Sequence, residues 1–275
     1  RPADRQAEKT AVRGRERGRV RMSVPVLKAE NLGITFGGLK AVEGFHVEIE
    51  QKELIGLIGP NGAGKTTVFN LLTGVYQPTE GAVYLNGTAL IGKKPHQMVA
   101  AGIARTFQNI RLFKKMSVLE NVKVAFNHNM KYSGLQAILR APSYWKEEQE
   151  IDRKARDLLS VFHMEELAGH VAENLPYGQQ RKLEIARALA TNPKVLLLDE
   201  PAAGMNPTET AELMQAISLI RERFGIAILL IEHDMSLVMN VCERIVVIDY
   251  GQIIAHGTPK EIANNPRVIG AYLGE

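Results

Sequence analysis

The chain has 275 residues, a formal net charge of +4 at pH 7, 45% hydrophobic residues and one cysteine. This length and composition are typical of a globular protein with one large core or two small ones. A lone cysteine excludes an internal disulfide, and a reducing cytoplasm is the expected compartment. No apolar run approaches the ~18–20 residues that span a bilayer, so we expect the chain to be soluble by itself.

The positive charge is concentrated in residues 1–22, where eight arginines and lysines stand against three acidic residues. The rest of the chain therefore carries about −1, which argues against a nucleic-acid-binding body. The segment has few apolar residues and no helical period, so it is predicted to be a disordered basic extension. Three interpretations stay open: sequence translated upstream of a start at Met22, a solvated extension, or an arm attracted to anionic lipid.

The first predicted elements are two alternating strands within residues 26–49, joined at Gly37-Gly38. They should pair antiparallel and lead into a third strand at 53–58, which is apolar throughout and therefore predicted to be buried. Further on, the Asn86-Gly87 pair after residues 82–85 is typical of a type I′ hairpin turn.

The loop after the third strand, residues 59–67, fits the pattern G-x-x-x-x-G-K-[ST] at every defined position. Its glycines let backbone N–H groups point at phosphates, where the N-terminus of the following helix adds partial positive charge. That helix should end before Gly74. The pattern predicts a nucleoside triphosphate site with Lys65 on the phosphates and Thr66 on magnesium. The predicted contact residues are Asn61, Gly62, Ala63, Gly64, Lys65, Thr66 and Thr67.

Residues 109–174 change in character towards helix and are predicted to form an inserted subdomain. An amphipathic helix is indicated by the apolar face Ile151, Ala155, Leu158, Leu159 and Phe162. Aromatic and apolar residues also cluster around Pro142, and they form either a small helical core or a docking surface for a partner. The residues in this cluster are Tyr132, Leu135, Ile138, Leu139, Tyr144 and Trp145.

The second half returns to alternating helices and strands. A helix at 178–190 is followed by an apolar strand at 195–198, which should be buried in a parallel sheet. Asn206 and Glu209 form a capping box that opens a helix to about residue 224, before a strand at 226–231. A hairpin at 244–254 follows, and a capping box at Thr258 and Glu261 should start one terminal helix.

Two acidic residues, Asp199 and Glu200, follow the apolar strand at 195–198. At the carboxyl end of a buried strand, Asp199 is placed to hold magnesium through water. Glu200 is placed to turn its carboxylate towards an attacking water, as a catalytic base. The pair therefore predicts hydrolysis of the bound triphosphate.

Together these residues resemble the ATP-binding subunits of ABC transporters over about residues 26–274. Six motifs occur in the order typical of that family. They are the Walker A loop at 59–67, a glutamine loop at Gln108, a signature segment at 175–179, Walker B ending in Asp199 and Glu200, a D-loop at 203–206, and a switch histidine at His233.

The resemblance implies that the cofactors are ATP and Mg²⁺. It further implies that Gln108 lies at the magnesium and couples it to the partner, and that His233 contacts the γ-phosphate. Phe36 would stack on adenine, although an aromatic residue in a strand is also ordinary core, and both interpretations stay open. Two ATPase subunits would pair head to tail, so that the signature residues of one chain complete the site on the other. These residues are Tyr177, Gly178 and Gln179.

The implied fold class is α/β, a P-loop NTPase of the ABC ATPase type. Its domain would span residues 23–275, with a mostly parallel core sheet, an antiparallel β subdomain and an α-helical subdomain inserted at about 109–178. The implied partners are two polytopic membrane permease subunits, a second ATPase subunit (a related chain or a second copy) and, indirectly, an extracytoplasmic substrate-binding protein. The implied location is peripheral, on the cytoplasmic face of the cell membrane, and no nucleic acid is expected.

Two positions depart from the family pattern. Pro176 stands where the signature usually has serine, which removes a hydroxyl donor to the γ-phosphate, whereas the backbone donors around Gly178 remain. Asn206 stands where the D-loop usually has an acid, so it can cap the next helix but carries no charge. We expect weaker assistance to the reaction rather than an inactive site.

Segments 175–187, 201–207, 231–235 and 271–275 resemble the larger ATPase subunit of high-affinity branched-chain amino acid importers. The predicted function is that of an ATP-hydrolysing, energy-coupling subunit for import of branched-chain or other hydrophobic amino acids. A lipid or lipopolysaccharide exporter ATPase shares nearly all the motifs and stays an alternative. A soluble ABC ATPase of DNA repair is less consistent with the short insertion at 109–174. One that acts on the ribosome is less consistent with a single set of motifs. A small-molecule kinase leaves the signature unexplained.

Overall fold

The computed structural model describes residues 24–126 and 142–273. The predicted basic extension at 1–22 and four members of the apolar cluster lie outside these ranges: Tyr132, Leu135, Ile138 and Leu139. Within the described ranges, no helix is both long and apolar enough to cross a membrane.

The strands are β1 (Leu27–Phe36), β2 (Leu39–Ile49), β3 (Leu54–Ile58), β4 (Glu80–Leu85), β5 (Thr88–Ala89), β6 (Ile103–Arg105), β7 (Val195–Asp199), β8 (Ala227–Ile231), β9 (Arg244–Asp249) and β10 (Gln252–Gly257). The described helices are α1 (Lys65–Leu72), α2 (Pro95–Ala101), α3 (Val118–Phe126), α4 (Pro142–Val161), α5 (Tyr177–Leu189), α6 (Pro207–Phe224), α7 (Met235–Val241), α8 (Pro259–Ala263) and α9 (Pro266–Leu273). Short 3₁₀ turns cover Glu165–Leu167 and Ala172–Asn174.

The central sheet has six strands in the order β10-β9-β3-β8-β7-β6. All neighbours are parallel except β10, which pairs antiparallel with β9. Every residue of β3, β7 and β8 is buried, which confirms the strands predicted from their apolar runs. Along β3, Leu54 and Ile58 join one hydrophobic cluster whereas Ile55 and Leu57 join another, so each face of the sheet is covered. The carboxyl ends of the parallel strands meet at one edge, where ligands bind in open α/β sheets.

A second, antiparallel sheet has the order β2-β1-β4-β5. Asn86 and Gly87 connect β4 to β5 with φ angles of 47° and 76°, which confirms the predicted type I′ turn. Tyr250 and Gly251 turn β9 into β10 in the same way, with φ angles of 43° and 77°. Two sheets, one mostly parallel and one antiparallel, together with the helices, confirm the predicted α/β class.

The predicted amphipathic helix is α4, and its apolar face is buried. Phe162 belongs to this face although α4 ends one residue before it. Trp145 is half exposed and meets Tyr144 edge to face, with ring centroids 5.5 Å apart, so Trp145 is not part of a buried core. The division of the chain into an ATPase domain with an insertion at 109–178 stays a prediction.

The terminal helix differs from the prediction, because two short helices stand where one was expected. Thr258 caps α8 as predicted and accepts a hydrogen bond from the Glu261 backbone N–H. The helix then ends at Ala263, since Pro266 disfavours helical conformation in the residue before it and starts α9 instead.

Candidate active site

The predicted phosphate loop connects β3 to α1 and is held from behind by neighbouring strands. Gly59 has φ 154°, and a Cβ there would lie 2.0 Å from the Ile248 carbonyl oxygen. Gly64 has φ 103°, and a Cβ there would lie 3.1 Å from the Ala41 carbonyl oxygen. Both positions therefore require glycine for conformation and for space. The loop is fixed against β9 on one side and β2 on the other.

Lys65 is buried at the start of α1 and donates to two carbonyl oxygens of its own loop. Its Nζ lies 2.6 Å from the Gly59 oxygen and 2.9 Å from the Pro60 oxygen. Burial lowers the pKa of Lys65, while the nearby carboxylates of Glu200 and Asp199 act in the opposite direction. The positions around it range from buried to exposed: Ala63 is buried, Gly64 and Thr67 are half-buried, and Asn61, Gly62 and Thr66 are exposed.

The three predicted catalytic residues meet at the carboxyl edge of the sheet. Gln108 donates from Nε2 to Glu200 Oε2 at 3.0 Å, and His233 Nδ1 lies 4.0 Å from the same oxygen. Glu200 follows β7 with φ 46°, a left-handed conformation that is uncommon outside glycine, and its backbone N–H donates to the Ile231 carbonyl at 2.9 Å. The Glu200 side chain is 21% exposed and so remains within reach of water.

Two further charged residues that the sequence analysis did not identify border this cluster. Arg105 forms an ion pair with Asp199, with 2.6 Å between Nη2 and Oδ2. Glu232 is almost completely buried, accepts a hydrogen bond from the Ala202 backbone N–H, and has a pKa raised by burial. Its position next to His233 at the end of an apolar strand was the available signal for Glu232.

The signature residues lie at the start of α5, next to the D-loop. A Cβ on Gly204 would lie 3.3 Å from the Tyr177 ring, and a Cβ on Gly178 would lie 3.0 Å from Glu209 Oε1. Pro176 precedes the helix and provides no side-chain cap. Within residues 24–126 and 142–273, no hydrogen bond or ion pair joins Tyr177, Gly178 or Gln179 to the phosphate loop. The structure therefore groups the signature with the D-loop of its own chain.

A buried ion pair on α5 connects the signature helix to the segment that carries Gln108. Arg181 is fully buried and donates to the Phe107 carbonyl at 2.5 Å and the Gln108 carbonyl at 2.7 Å. Its partner is Glu184, with 2.8 Å between Nη1 and Oε2, and Glu184 Oε1 accepts from the Arg111 backbone N–H at 3.2 Å. Sequence analysis missed the role of this pair, because the contacts that connect it to residues 107–111 span more than seventy residues.

Phe36 ends β1 and is 44% exposed, whereas Leu32 and Ile34 on the same strand are buried. Its ring meets Tyr76 edge to face with centroids 5.2 Å apart. The interpretation of Phe36 as ordinary core is therefore wrong, and the stacking role stays a prediction. The hairpin carrying Phe36 contacts the phosphate loop through Ala41.

The residues predicted at the metal offer oxygen donors of three kinds, namely the Thr66 hydroxyl, the Asp199 carboxylate and the Gln108 amide. Hard oxygen donors of this kind fit magnesium. Over the described parts of the chain, no group of three or more histidine, cysteine or acidic residues forms another metal site.

The family described as "ABC transporter" matches residues 42–203, more than half of the chain. The chain belongs to this family, as an ATP-binding subunit. A second family, "Branched-chain amino acid ATP-binding cassette transporter", matches residues 252–275.

Three curated relatives show which ABC proteins are similar. The high-affinity branched-chain amino acid transport ATP-binding protein BraF of Pseudomonas aeruginosa is 47% identical, over 92% of this chain and all of BraF. LivG of Escherichia coli, with the same description, is 48% identical over the same shares. The lipopolysaccharide export ATP-binding protein LptB of E. coli is 35% identical, over 90% of this chain and 97% of LptB. The resemblance to the importer subunits is thereby confirmed.

Solved structures agree with the fold. The ADP conformation of MJ1267, an ATP-binding cassette of an ABC transporter, is 34% identical with a TM-score of 0.78, covering 91% of this chain and 99% of that one. The ABC transporter cassette MJ0796, described as dimeric, is 25% identical with a TM-score of 0.71, covering 85% and 98%. These similarities confirm the predicted cassette architecture.

Proposed function

We propose that this protein is the ATP-hydrolysing, energy-coupling subunit of an importer for branched-chain amino acids. The observation that carries the proposal is the convergence of Gln108 and His233 on Glu200, beside Asp199 and the loop that holds Lys65. Relatives with nearly half of their residues identical bear the name of this importer. A small-molecule kinase would need none of the contacts between Gln108, His233 and Glu200.

Each residue of the site has its own role in binding or hydrolysing ATP. Backbone N–H groups of the loop, Lys65 and Thr67 hold the phosphates, while Phe36 stacks on the base. Thr66, Asp199 and Gln108 would hold magnesium, which when bound would neutralise charge on the phosphates. Glu200 takes a proton from the attacking water, and His233 contacts the γ-phosphate.

A second ATPase subunit is part of this proposal. The signature segment lies against its own D-loop and, in the part of the chain that the structure describes, makes no polar contact with its own phosphate loop. We therefore assign Tyr177, Gly178 and Gln179 to the site of a head-to-tail partner. Two polytopic permease subunits would carry the substrate across the membrane. The ATPase pair would bind them at the cytoplasmic face and transmit its conformational change to them. A substrate-binding protein would lie on the opposite side.

A trapped variant tests the proposal. Glu200→Gln should bind ATP without hydrolysing it, so we would purify it from detergent-solubilised membranes in the presence of ATP and identify its partners. Two polytopic subunits and a second ATPase are expected. The matched control is Glu212→Gln, because Glu212 is an exposed acid that lies outside the site and is paired with Lys182. Recovery of ribosomes or of soluble partners alone would contradict the transport role and leave the ATPase assignment intact.

The exporter alternative is tested by substrate. The similarity to LptB is lower than that to BraF and LivG, which favours import. Cells lacking the native subunit should regain uptake of labelled leucine, isoleucine or valine when they express the wild-type chain but not Glu200→Gln. If cells lacking the native subunit take up these amino acids normally but export lipopolysaccharide poorly, the exporter alternative would be supported instead.

A further inference from the structure

Arg105 lies at the last position of β6, beside the strand that carries Asp199. Its backbone pairs with Leu197 of β7, and because the strands are parallel its side chain reaches towards the carboxyl end of β7. Nη2 lies 2.6 Å from Asp199 Oδ2, and the two side chains are only 7% and 6% exposed. The ion pair is therefore shielded from solvent, where its geometry is strongly constrained.

The guanidinium also contacts two other segments. Nη1 donates to Asn70 Oδ1 at 2.6 Å. The central carbon lies 5.3 Å from the centroid of the Phe69 ring and 5.1 Å from that of Phe107. A planar fork can bind two acceptors and contact aromatic rings at once, whereas the single ammonium of lysine cannot reproduce this arrangement.

Each of these contacts lies next to a residue assigned to magnesium. Asn70 is four residues after Thr66 on α1 and so lies on the same face of the helix. Phe107 directly precedes Gln108, and Asp199 is itself the ion-pair partner of Arg105. Arg105 thus contacts α1, the glutamine loop and the end of β7.

We propose that Arg105 is a positioning residue of the magnesium site. By holding Asp199 through Oδ2, it fixes the direction of Oδ1 and sets the spacing between the three segments that carry Thr66, Gln108 and Asp199. This inference rests on the proposed magnesium–ATP site. A purely structural ion pair would stabilise the fold but would leave the magnesium requirement unchanged.

The test measures binding rather than turnover. The affinity of the full chain for a fluorescent, non-hydrolysable ATP analogue is titrated with Mg²⁺, and Mn²⁺ in the same complex is followed by electron paramagnetic resonance. Loss of a residue that orients a metal ligand typically lowers metal affinity about 10–100-fold. Arg105→Lys should therefore raise the Mg²⁺ concentration for half-maximal binding by about tenfold or more, with little change in affinity in EDTA. The Mn²⁺ spectrum should broaden.

Two further variants keep the result decisive. Arg221→Lys alters an arginine that is paired with Glu243 at 2.8 Å, away from the site, and should match wild type. Asn70→Ala removes one contact of Arg105 without stranding a buried charge, and should raise the Mg²⁺ requirement about two- to tenfold, as expected for one hydrogen bond. It replaces Arg105→Lys if that variant does not fold.

A wild-type Mg²⁺ requirement in the folded variants would overturn the inference. So would an equal loss of affinity with Mg²⁺ and with EDTA, because Arg105 would then support the loop in general. Absence of any Mg²⁺ dependence in the wild-type protein would instead overturn the proposed function, and this inference with it.

Discussion

Cys242 is a residue whose role follows from packing alone. It is 6% exposed, and its Sγ lies where a side chain on Gly56 would have to go, 3.1 Å from that Cβ position. Burial raises the pKa of its thiol to about 12, with the carboxylates of Glu243 and Glu232 adding to the shift. This agrees with the packing role expected from the sequence.

Because the chain has one cysteine, the thiol reports on unfolding at a single site. In the native protein at pH 8 we expect no rapid reaction with Ellman's reagent, and stoichiometric reaction in denaturant. The folded pKa lies above the ordinary thiol value of 9.0, so the unfolded state releases its proton first. The free energy of unfolding should therefore fall as pH rises from 9 towards 12, in urea titrations. Fast native labelling would contradict the buried placement.

Pro176 is the residue at which the signature departs from its family. It precedes α5 and offers neither a side-chain cap nor a hydroxyl. Pro176→Ser should add an N-cap worth about 1 kcal/mol to stability. In the proposed paired site its hydroxyl should also contribute about 1.5–3 kcal/mol at the γ-phosphate, which lowers the ATP concentration for half-maximal turnover about tenfold or more. ATPase titrations of Pro176→Ser and the hydroxyl-free control Pro176→Ala measure this; equal curves would show that the hydroxyl is irrelevant.

At the scale of elements, the capping box of α6 stabilises the start of that helix and also contacts the signature segment. Asn206 Oδ1 accepts from the Glu209 backbone N–H at 2.9 Å, while Glu209 Oε2 accepts from the Asn206 backbone N–H at 3.1 Å. The same Glu209 side chain packs against Gly178 of the signature. The start of α6 therefore positions two motifs at once.

Asn206→Ala removes the side-chain cap of α6 and should cost about 1 kcal/mol. For a chain of this size that corresponds to a fall in Tm of about 2–4 °C, measured by calorimetry. Asn206→Asp keeps the acceptor and adds a negative charge at a helix N-terminus, so its Tm should stay at or above that of wild type. A decrease of equal size in both variants would show that the amide itself, and not the cap, matters.

The elements also show which parts of the fold could be predicted. The turns at Asn86-Gly87 and the boxes at Asn206 and Thr258 depend on neighbouring residues, so local chemistry was enough. The break between α8 and α9 was missed although Pro266 signalled it. Arg105 and Arg181 could not be assigned from the sequence, because each binds a partner about seventy or more residues away and arginine is most often a surface residue.

At the scale of the whole molecule, the proposed head-to-tail pairing would make the candidate site one half of a composite. Local sequence patterns predicted the phosphate loop, Asp199 and Glu200, and the structure brings Gln108 and His233 to Glu200. If the signature acts on the phosphate loop of a partner, the structure of one chain cannot show these two segments opposite each other. The proposed partner is either a related ATPase or a second copy of this chain, and pairing between two copies can be tested directly.

Two inactive variants test head-to-tail pairing. Lys65→Ala removes the phosphate-binding ammonium, and Gly178→Arg blocks the approach of a partner at the signature; each should be inactive alone. In a two-fold dimer the mixed pair places both defects in one composite site and leaves the other intact. Mixing equal amounts should restore about a quarter of the wild-type ATPase rate, since about half of the pairs are mixed and each has one of two sites. Mixing Lys65→Ala with Glu200→Gln is the matched control, because both changes lie in the phosphate-loop half and no intact site can form. Absence of recovery, with both variants folded by calorimetry, would contradict self-pairing and direct the search to a related ATPase as the partner.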